Sequence, residues 1–276
     1  MDFTSLHKKF ERMGARLRLR ELLPGRRPGS ATIIDSGIAR LNVVKDDQGE
    51  VFEIEATRKE PPEISVLDVQ PADRHLLLLM RSAEGQKSKF RCGHDERHWF
   101  IAAIPEMAPV GNVQQAKEAL KPPEVQARQV GIRAKERSRR KNAAYVRQGE
   151  WFFVPAEIEE PDPLRVLRDE PLVRGRSKPH IAEFCYREGG ETVYVCSKYP
   201  NGVDGIEYAR IRKLERETKP ADRTSGWRVM RREAEVYVRG RVRHPDHKTV
   251  HLARWHRVLL NTERNSRAMR HVAFLD

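Results

Sequence analysis

The sequence predicts an α+β protein, predominantly antiparallel β, built as two β-rich parts joined by a basic helical connector. Three observations lead there. Residues 31–104 and 143–276 are dominated by short runs in which apolar and polar residues alternate, bounded by Gly, Pro, Asn and Asp turns. From Pro105 the pattern changes to short helical segments and an arginine-rich run. Closely spaced short strands bury their apolar faces best in a sandwich or small barrel. The expected divisions are 1–108, an N-terminal helix plus a β-rich domain; 109–142, the connector; and 143–276, a β-rich α+β domain.

The elements follow in order. Leu6, Phe10, Met13 and Leu17 recur at helical spacing, so residues 5–22 read as an amphipathic helix. Its other faces carry Lys8, Lys9, Arg12, Arg16, Arg18 and Arg20, and LLPGRRPGS ends it. ATIIDSGIARLNVV breaks at Ser36-Gly37. LNVVKDDQGEVFEIEA reads as a hairpin, with Asp46-Asp47-Gln48-Gly49 between two alternating runs. ISVLDV, HLLLLMR, KSKFRC and HWFIAAI supply the next strands.

VQQAKEAL (113–120) is a short helix stopped by Pro122-Pro123. EVQARQVGIRAKERSRRKN (124–142) reads as a second helix or arm, either a solvated interdomain connector or an arm that orders on a polyanion. Arg133, Arg137, Arg140 and Lys141 would share one face of it at three- and four-residue steps. Beyond it, AYVRQGEWFFVP is a strand and EFCYREGGETVYVC reads as a hairpin on Gly189-Gly190, with Cys185 opposite Tyr194. DGIEYARIRKLERE (204–217) is a helix with Ile206, Ala209 (or Arg210) and Leu214 inward. ERHWFIAAIPE, GEWFFVPAEIE and ARWHRVLLNTE share a Trp before an apolar run and a Glu after it, an echo whose drifting spacing argues against a repeat.

Charge narrows the function. Lys and Arg number 53 against 40 Asp and Glu, for a formal charge of +13. Such an excess favours polyanionic partners, because each neutralised phosphate releases condensed counterions. Arginine dominates, and its planar fork suits phosphate and base edges. Three cysteines, Cys92, Cys185 and Cys196, are too few for a disulfide framework and fit a reducing cytoplasm. The first residues lack the apolar segment of a signal peptide, and HLLLLM is too short to span a bilayer, so a soluble cytoplasmic protein without membrane association is expected.

The candidate site comes from EVYVRGRVRHPDHKTVHLARWH (235–256). His244-Pro245-Asp246-His247 reads as a turn that pairs Arg243 with Lys248. Alternation then puts Val236, Val238, Gly240, Val242, Thr249, His251, Ala253 and Trp255 on a core face. Tyr237, Arg239, Arg241, Arg243, Lys248, Val250, Leu252 and Arg254 fall on the other. The second face is an arginine stripe ending in a tyrosine. A two-stranded ribbon can enter a duplex major groove, and an exposed sheet can stack bases. The expected nucleic-acid contacts are Tyr237, Arg239, Arg241, Arg243, Lys248 and Arg254, with Arg133, Arg137, Arg140 and Lys141 as a second basic contact.

Two histidine-rich stretches supply the competing chemistry. His244, Asp246 and His247 are weak metal candidates, since zinc normally needs four donors and these offer three; His251 falls on the core face. RCGHDERHW (91–99) holds Cys92, His94, Asp95, Glu96 and His98 but lacks the second paired cluster that makes a zinc motif specific. Asn261 or Glu263 would have to complete a nuclease centre. Phosphate-binding glycine loops and the Gly-x-Ser-x-Gly elbow are absent from the sequence, which removes P-loop nucleotide hydrolysis and the α/β-hydrolase triad. The expected function is a non-enzymatic nucleic-acid-binding protein (DNA or RNA), an accessory subunit contacting other members of a nucleoprotein complex and needing no cofactor. The alternatives are a metal-dependent nuclease or hydrolase that uses zinc or another divalent ion, and a protein-interaction module for an acidic partner.

Overall fold

The computed structural model describes residues 3–22, 34–35, 39–57, 61–174, 178–216 and 225–265. It is mostly antiparallel strand with a few short helices, as the α+β, β-rich expectation requires. The chain forms two compact units. The first comprises Met1–Phe152, Asp246–Lys248 and Leu259–Arg270; the second comprises Phe153–Pro245, Thr249–Val258 and His271–Asp276. Residues 109–142 belong to the first unit. Among the described residues no helix is long and apolar enough to cross a membrane.

In the first unit, α1 (Phe3–Arg12) precedes two four-stranded sheets. One runs in the order β1 (Leu17–Glu21), β4 (Gly49–Ala56), β3 (Ala39–Asp46), β2 (Ile34–Asp35). The other is the meander β5 (Glu63–Gln70), β6 (His75–Arg81), β7 (Lys87–Asp95), β8 (His98–Ile104). Leu6, Phe10 and Met13 of the N-terminal segment join Leu41, Phe52 and Ile54 of one sheet and Leu76, Leu78, Met80, Phe90 and Ile101 of the other in one core. Burying these side chains supplies the main driving force, at about 1.5–3 kcal/mol for each large one. Leu77 points the other way, into a second cluster with Ala102, Ile104, Val113, Ala116 and Leu120. That is why HLLLLMR is unbroken by polar residues: α2 (Val113–Ala119) covers the outer face of its strand.

The hairpin expected in LNVVKDDQGEVFEIEA forms, with Asp46 paired to Gly49 around Asp47-Gln48. The long N-terminal helix does not. Gly14, at φ 79, ends it in the left-handed region, and residues 17–21 become a strand parallel to β4. Leu17 and Leu19 pack on the core while Arg18 and Arg20 ion-pair with Glu53 at 2.8 and 2.9 Å. Period two, not 3.6, governs there, and part of the basic face is neutralised inside the sheet.

The predicted helix over 124–142 breaks into α3 (Pro123–Arg128), a turn, and the single-turn α4 (Ala134–Arg137). Gly131, at φ 84, makes a continuous helix impossible. The segment is tied down by the buried Lys121 ammonium, which donates to Glu118 (2.7 Å), Gln129 (3.0 Å) and the Arg137 carbonyl (2.8 Å). The Tyr145 hydroxyl donates to that same carbonyl at 2.6 Å. β9 (Val146–Gln148) follows, then β10 (Trp151–Pro155).

The second unit is built on the sheet β11 (Leu167–Leu172), β12 (His180–Glu188), β15 (Glu235–His244) and Thr249–Val258 of β16 (His247–Leu260), continued by Phe153–Pro155 of β10. A separate ribbon pairs β13 (Glu191–Val195) with β14 (Arg228–Arg232), and α5 (Gly205–Glu215) lies between them in sequence. The expected Gly189-Gly190 hairpin is therefore corrected. β12 pairs with β11 and β15, and β13 with β14, so the two glycines carry the chain from one sheet to another. Both have positive φ, and a Cβ on Gly190 would meet the backbone of Arg232 and Ala234. α5 is also turned from its expected face. Ile211 and Glu215 are buried, whereas Ile206 is 84% and Leu214 58% exposed.

Candidate nucleic-acid interface

β15 has the expected alternation at its start: Val236 and Val238 are buried, and Arg239 reaches outward. A β-bulge then changes the pattern. Phe184 pairs with Arg239 and Ala182 with Val242, so Gly240 and Arg241 together face Glu183. Gly240 sits at φ 83, where a Cβ would lie 2.7 Å from the Glu183 carboxylate. Glu183 accepts from the Arg241 backbone N–H (2.8 Å) and Nε (3.1 Å), and these bonds hold its carboxyl below the usual range.

One inserted residue reverses facing beyond it. Paired residues share a face and faces alternate along β12. Arg239, opposite Phe184, and Arg243, opposite Ile181, therefore lie on opposite faces. The single arginine stripe is corrected to two arginine groups split by the bulge. β16 breaks alternation too: Leu252 is buried and His251 exposed, the reverse of expectation, and the exposed pair Ala253-Arg254 is followed by the buried pair Trp255-His256. His256 is buried with its Nδ1 2.7 Å from the Arg254 carbonyl, and burial pushes its pKa down.

Tyr237 is not at the solvent edge. It is 6% exposed and packs with Tyr186 and Trp255. Its hydroxyl donates to Glu235, and burial, followed by that bond to a carboxylate, pushes it up to about 12. Arg239 lies over the rings of Trp255 (4.7 Å) and Phe184 (5.7 Å) and pairs with Glu160 at 2.9 Å. The same carboxylate accepts from the Trp255 indole at 3.1 Å. Arg239 thus closes an aromatic cluster, while Arg241 and Arg243 extend into solvent, 62% and 52% exposed. Their partners are Glu183 and Asp169. Lys248 and Arg254 are exposed.

The second basic group is divided as well. In the first unit Arg140 is clamped by Asp95 and Glu96. Arg137 donates through Nε to the Ile132 carbonyl at 2.8 Å. Arg133 and Lys141 remain at the surface and, with Arg139, line a cleft of about 400 Å³ that also includes Glu136 and Asn142. Arg139 is the cleft-lining arginine that helical counting missed, because the face was counted on a helix that does not exist.

The two histidine-rich stretches meet in the first unit, where residues 96–98 face residues 246–248. His98 lies between two carboxylates, with Nδ1 2.7 Å from Glu50 and Nε2 3.5 Å from Asp246. Glu96, at φ 50 in the turn between β7 and β8, takes Arg140 on one oxygen. Its other oxygen accepts the Lys248 N–H at 2.6 Å and lies 3.8 Å from His247 Nδ1. Burial lowers the His247 pKa. A left-handed conformation costs a non-glycine residue about 1–2 kcal/mol, which these bonds offset. In the second unit the His244 ring stacks on His180 at 4.2 Å. Cys92 is fully buried in the core, where desolvation drives its thiol pKa upward, so it does not pair with His94 or His98 as a nucleophile. Glu263 accepts from the Ala103 N–H at 3.2 Å, and Asn261 donates to Glu263 at 3.3 Å; both are buried structural groups.

Comparison with protein-family models, with curated proteins and with solved structures yields no match.

Proposed function

We propose that the chain is a non-enzymatic nucleic-acid-binding protein, an accessory subunit of a nucleoprotein assembly. The observation that carries this reading is the pair Arg241 and Arg243, which project from the second unit's sheet in ion pairs open to water. Exposed pairs of this kind are worth only about 0–1 kcal/mol. A phosphate diester can therefore take the place of Glu183 or Asp169 on either guanidinium at little cost, and gain counterion release in doing so. Arg254 extends the contact, and in the first unit Lys248 and the cleft of Arg133, Arg139 and Lys141 offer further ones. The net charge of +13 gives these contacts a favourable long-range field.

The test is a titration of labelled single- and double-stranded DNA and RNA at low and moderate salt. Binding should weaken steeply with salt, with a log–log slope of about −0.9 per phosphate contact on duplex. Arg241→Ala with Arg243→Ala should lower affinity for every sequence alike and flatten that slope by about 2. No binding to any of the four polymers at low salt would overturn the reading.

A metal-dependent nuclease is the second reading, favoured by the His180 and His244 imidazoles, whose ligand atoms lie within 4.8 Å of each other in the second unit. Elemental analysis after purification without chelator decides it. Stoichiometric metal lost on His244→Ala, together with nucleic-acid cleavage, would replace the first proposal.

A further inference from the structure

Four aromatic rings outside the core of the second unit's main sheet are gathered from separate segments. Tyr194 of β13 stacks on Tyr208 of α5, with centroids 3.9 Å apart and planes 3° from parallel. Tyr208 meets the Trp227 ring edge-on at 5.0 Å. Trp227, just before β14, stacks with Tyr199 of the loop after β13 at 5.6 Å and 15°. All four rings are only half-buried. Val229, paired directly with Tyr194 across the ribbon, is 66% exposed, so this ribbon face is open.

The local architecture explains how the rings meet. Tyr194 and Val203 exchange backbone hydrogen bonds (2.8 and 3.0 Å), folding the loop back onto β13. Gly202, at φ 72, fits where a Cβ would press on Val193. Asp204 then caps α5 by accepting from the Glu207 N–H at 2.8 Å, which sets the helix that delivers Tyr208. A purely structural cluster would be driven further from water, since each aromatic side chain has much apolar area to bury.

The segments that carry the rings also carry cations. Lys198 lies over the Tyr199 ring at 5.7 Å. Arg228 and Arg231 are exposed on β14, and Arg210, Arg212 and Lys213 on α5. Acids are fewer and already engaged: Glu191 with Arg232, Glu207 with Arg210, Glu215 with Arg212. Protein interfaces deplete lysine at an aromatic centre, whereas exposed rings beside cations suit bases joined by phosphates.

We infer that β13, β14 and α5 form a stacking platform for single-stranded nucleic acid. Trp227 and Tyr199 receive bases, and Lys198 and Arg231, the latter on the same ribbon face as Tyr194, neutralise the backbone. This rests on the nucleic-acid reading but uses residues distinct from Arg241 and Arg243. Duplex is excluded from the rings because its bases are already stacked on each other.

The experiment compares a labelled oligothymidylate with a duplex of equal length, using wild type, Trp227→Ala, Trp227→Phe, Tyr199→Ala and the Arg241→Ala, Arg243→Ala double variant. Circular dichroism checks folding. Trp227→Ala and Tyr199→Ala should each weaken oligothymidylate binding about 5- to 100-fold and leave duplex binding unchanged, while Trp227→Phe keeps most of the affinity. Oligothymidylate should quench wild-type tryptophan fluorescence, and Trp227→Phe should lose most of that quench. If Trp227→Ala fails to fold, Tyr199→Ala in the loop carries the same comparison. Undiminished oligothymidylate binding by the folded ring variants, alongside weakened binding by the double arginine variant, overturns the platform and leaves the proposed function standing. Wild type that binds neither polymer overturns both.

Discussion

Gly93→Ala should destabilise the first unit sharply, although Gly93 has an ordinary φ and no turn to make. Gly93 on β7 faces His75 on β6. A Cβ there would lie 2.9 Å from Phe100 Cζ and nearer still to two atoms of the His75 ring. Overpacking of this kind forces neighbours off their rotamers and costs about 1–3 kcal/mol. The imidazole pushed aside also leaves Arg91, whose Nη2 sits 3.3 Å from His75 Nε2. Arg91 is 5% exposed, and burial lowers its pKa to about 9. A buried donor that loses its acceptor costs about 1–3 kcal/mol more. The combined loss is about 2–6 kcal/mol. For a unit of this size, at about 2–4 °C per kcal/mol, Tm should fall by roughly 4–24 °C, with a centre near 12 °C. Thermal melts by circular dichroism, with urea unfolding beside them, measure it. Gly85→Ala is the control: its Cβ meets nothing within 4 Å, so only its φ of 82 is strained, costing about 1–2 kcal/mol. Adding His75→Ala to Gly93→Ala should cost less than the sum of the two single changes. A Gly93→Ala protein melting within about 1 °C of wild type would show that the contact relaxes freely and refute the reasoning.

Two further outcomes follow from buried titratable groups. Burial, with Arg91 next, lowers the His75 pKa from 6.5 to about 2. Below pH 6.5 the unfolded chain binds a proton that the folded one excludes, so stability falls as pH drops, by about 1.4 kcal/mol per unit. Urea unfolding at pH values either side of 6 should show a shallower acid loss in His75→Gln than in wild type; equal slopes would contradict it. The thiols of Cys92, Cys185 and Cys196 are all free and buried, and burial pushes Cys185 up to about 11. A chromogenic disulfide reagent near neutral pH should label none of them until denaturant is added, and rapid native labelling of any one would be inconsistent with this packing.

The legible parts of the fold were those where neighbouring residues contain the whole signal. LNVVKDDQGEVFEIEA carries both its alternation and its turn, and it forms the expected β3–β4 hairpin. Val236 and Val238 carry the start of β15 in the same way. Illegible parts depended on distant partners. Arg18 and Arg20 read as a helix face because nothing local announces Glu53, which turns them into strand residues. The arginine stripe failed at Gly240, where a bulge stabilised by Glu183, fifty-eight positions before Arg241, puts Arg239 and Arg243 on opposite faces. Tyr237 looked exposed for the same reason until Trp255 and Tyr186 enclosed it. The four-ring cluster of Tyr194, Tyr199, Tyr208 and Trp227 carries no spacing at all, since its members come from a strand, a loop, a helix and a second strand's approach.

The bonds that end on residues 246–263 bear on the timing of synthesis. Lys248 reaches back 152 positions to Glu96, and Glu263 reaches back 160 to Ala103. A ribosome adding about 5–20 residues per second has made Phe152 roughly 5–20 s before it makes Asp246. Through that interval the turn at Glu96 holds its left-handed conformation with Arg140 alone, and the Ala103 N–H waits for its carboxylate. The first unit thus keeps bonds open until most of the second has been made. A nascent chain halted after residue 152 should be far more sensitive to protease across 95–104 than the released protein.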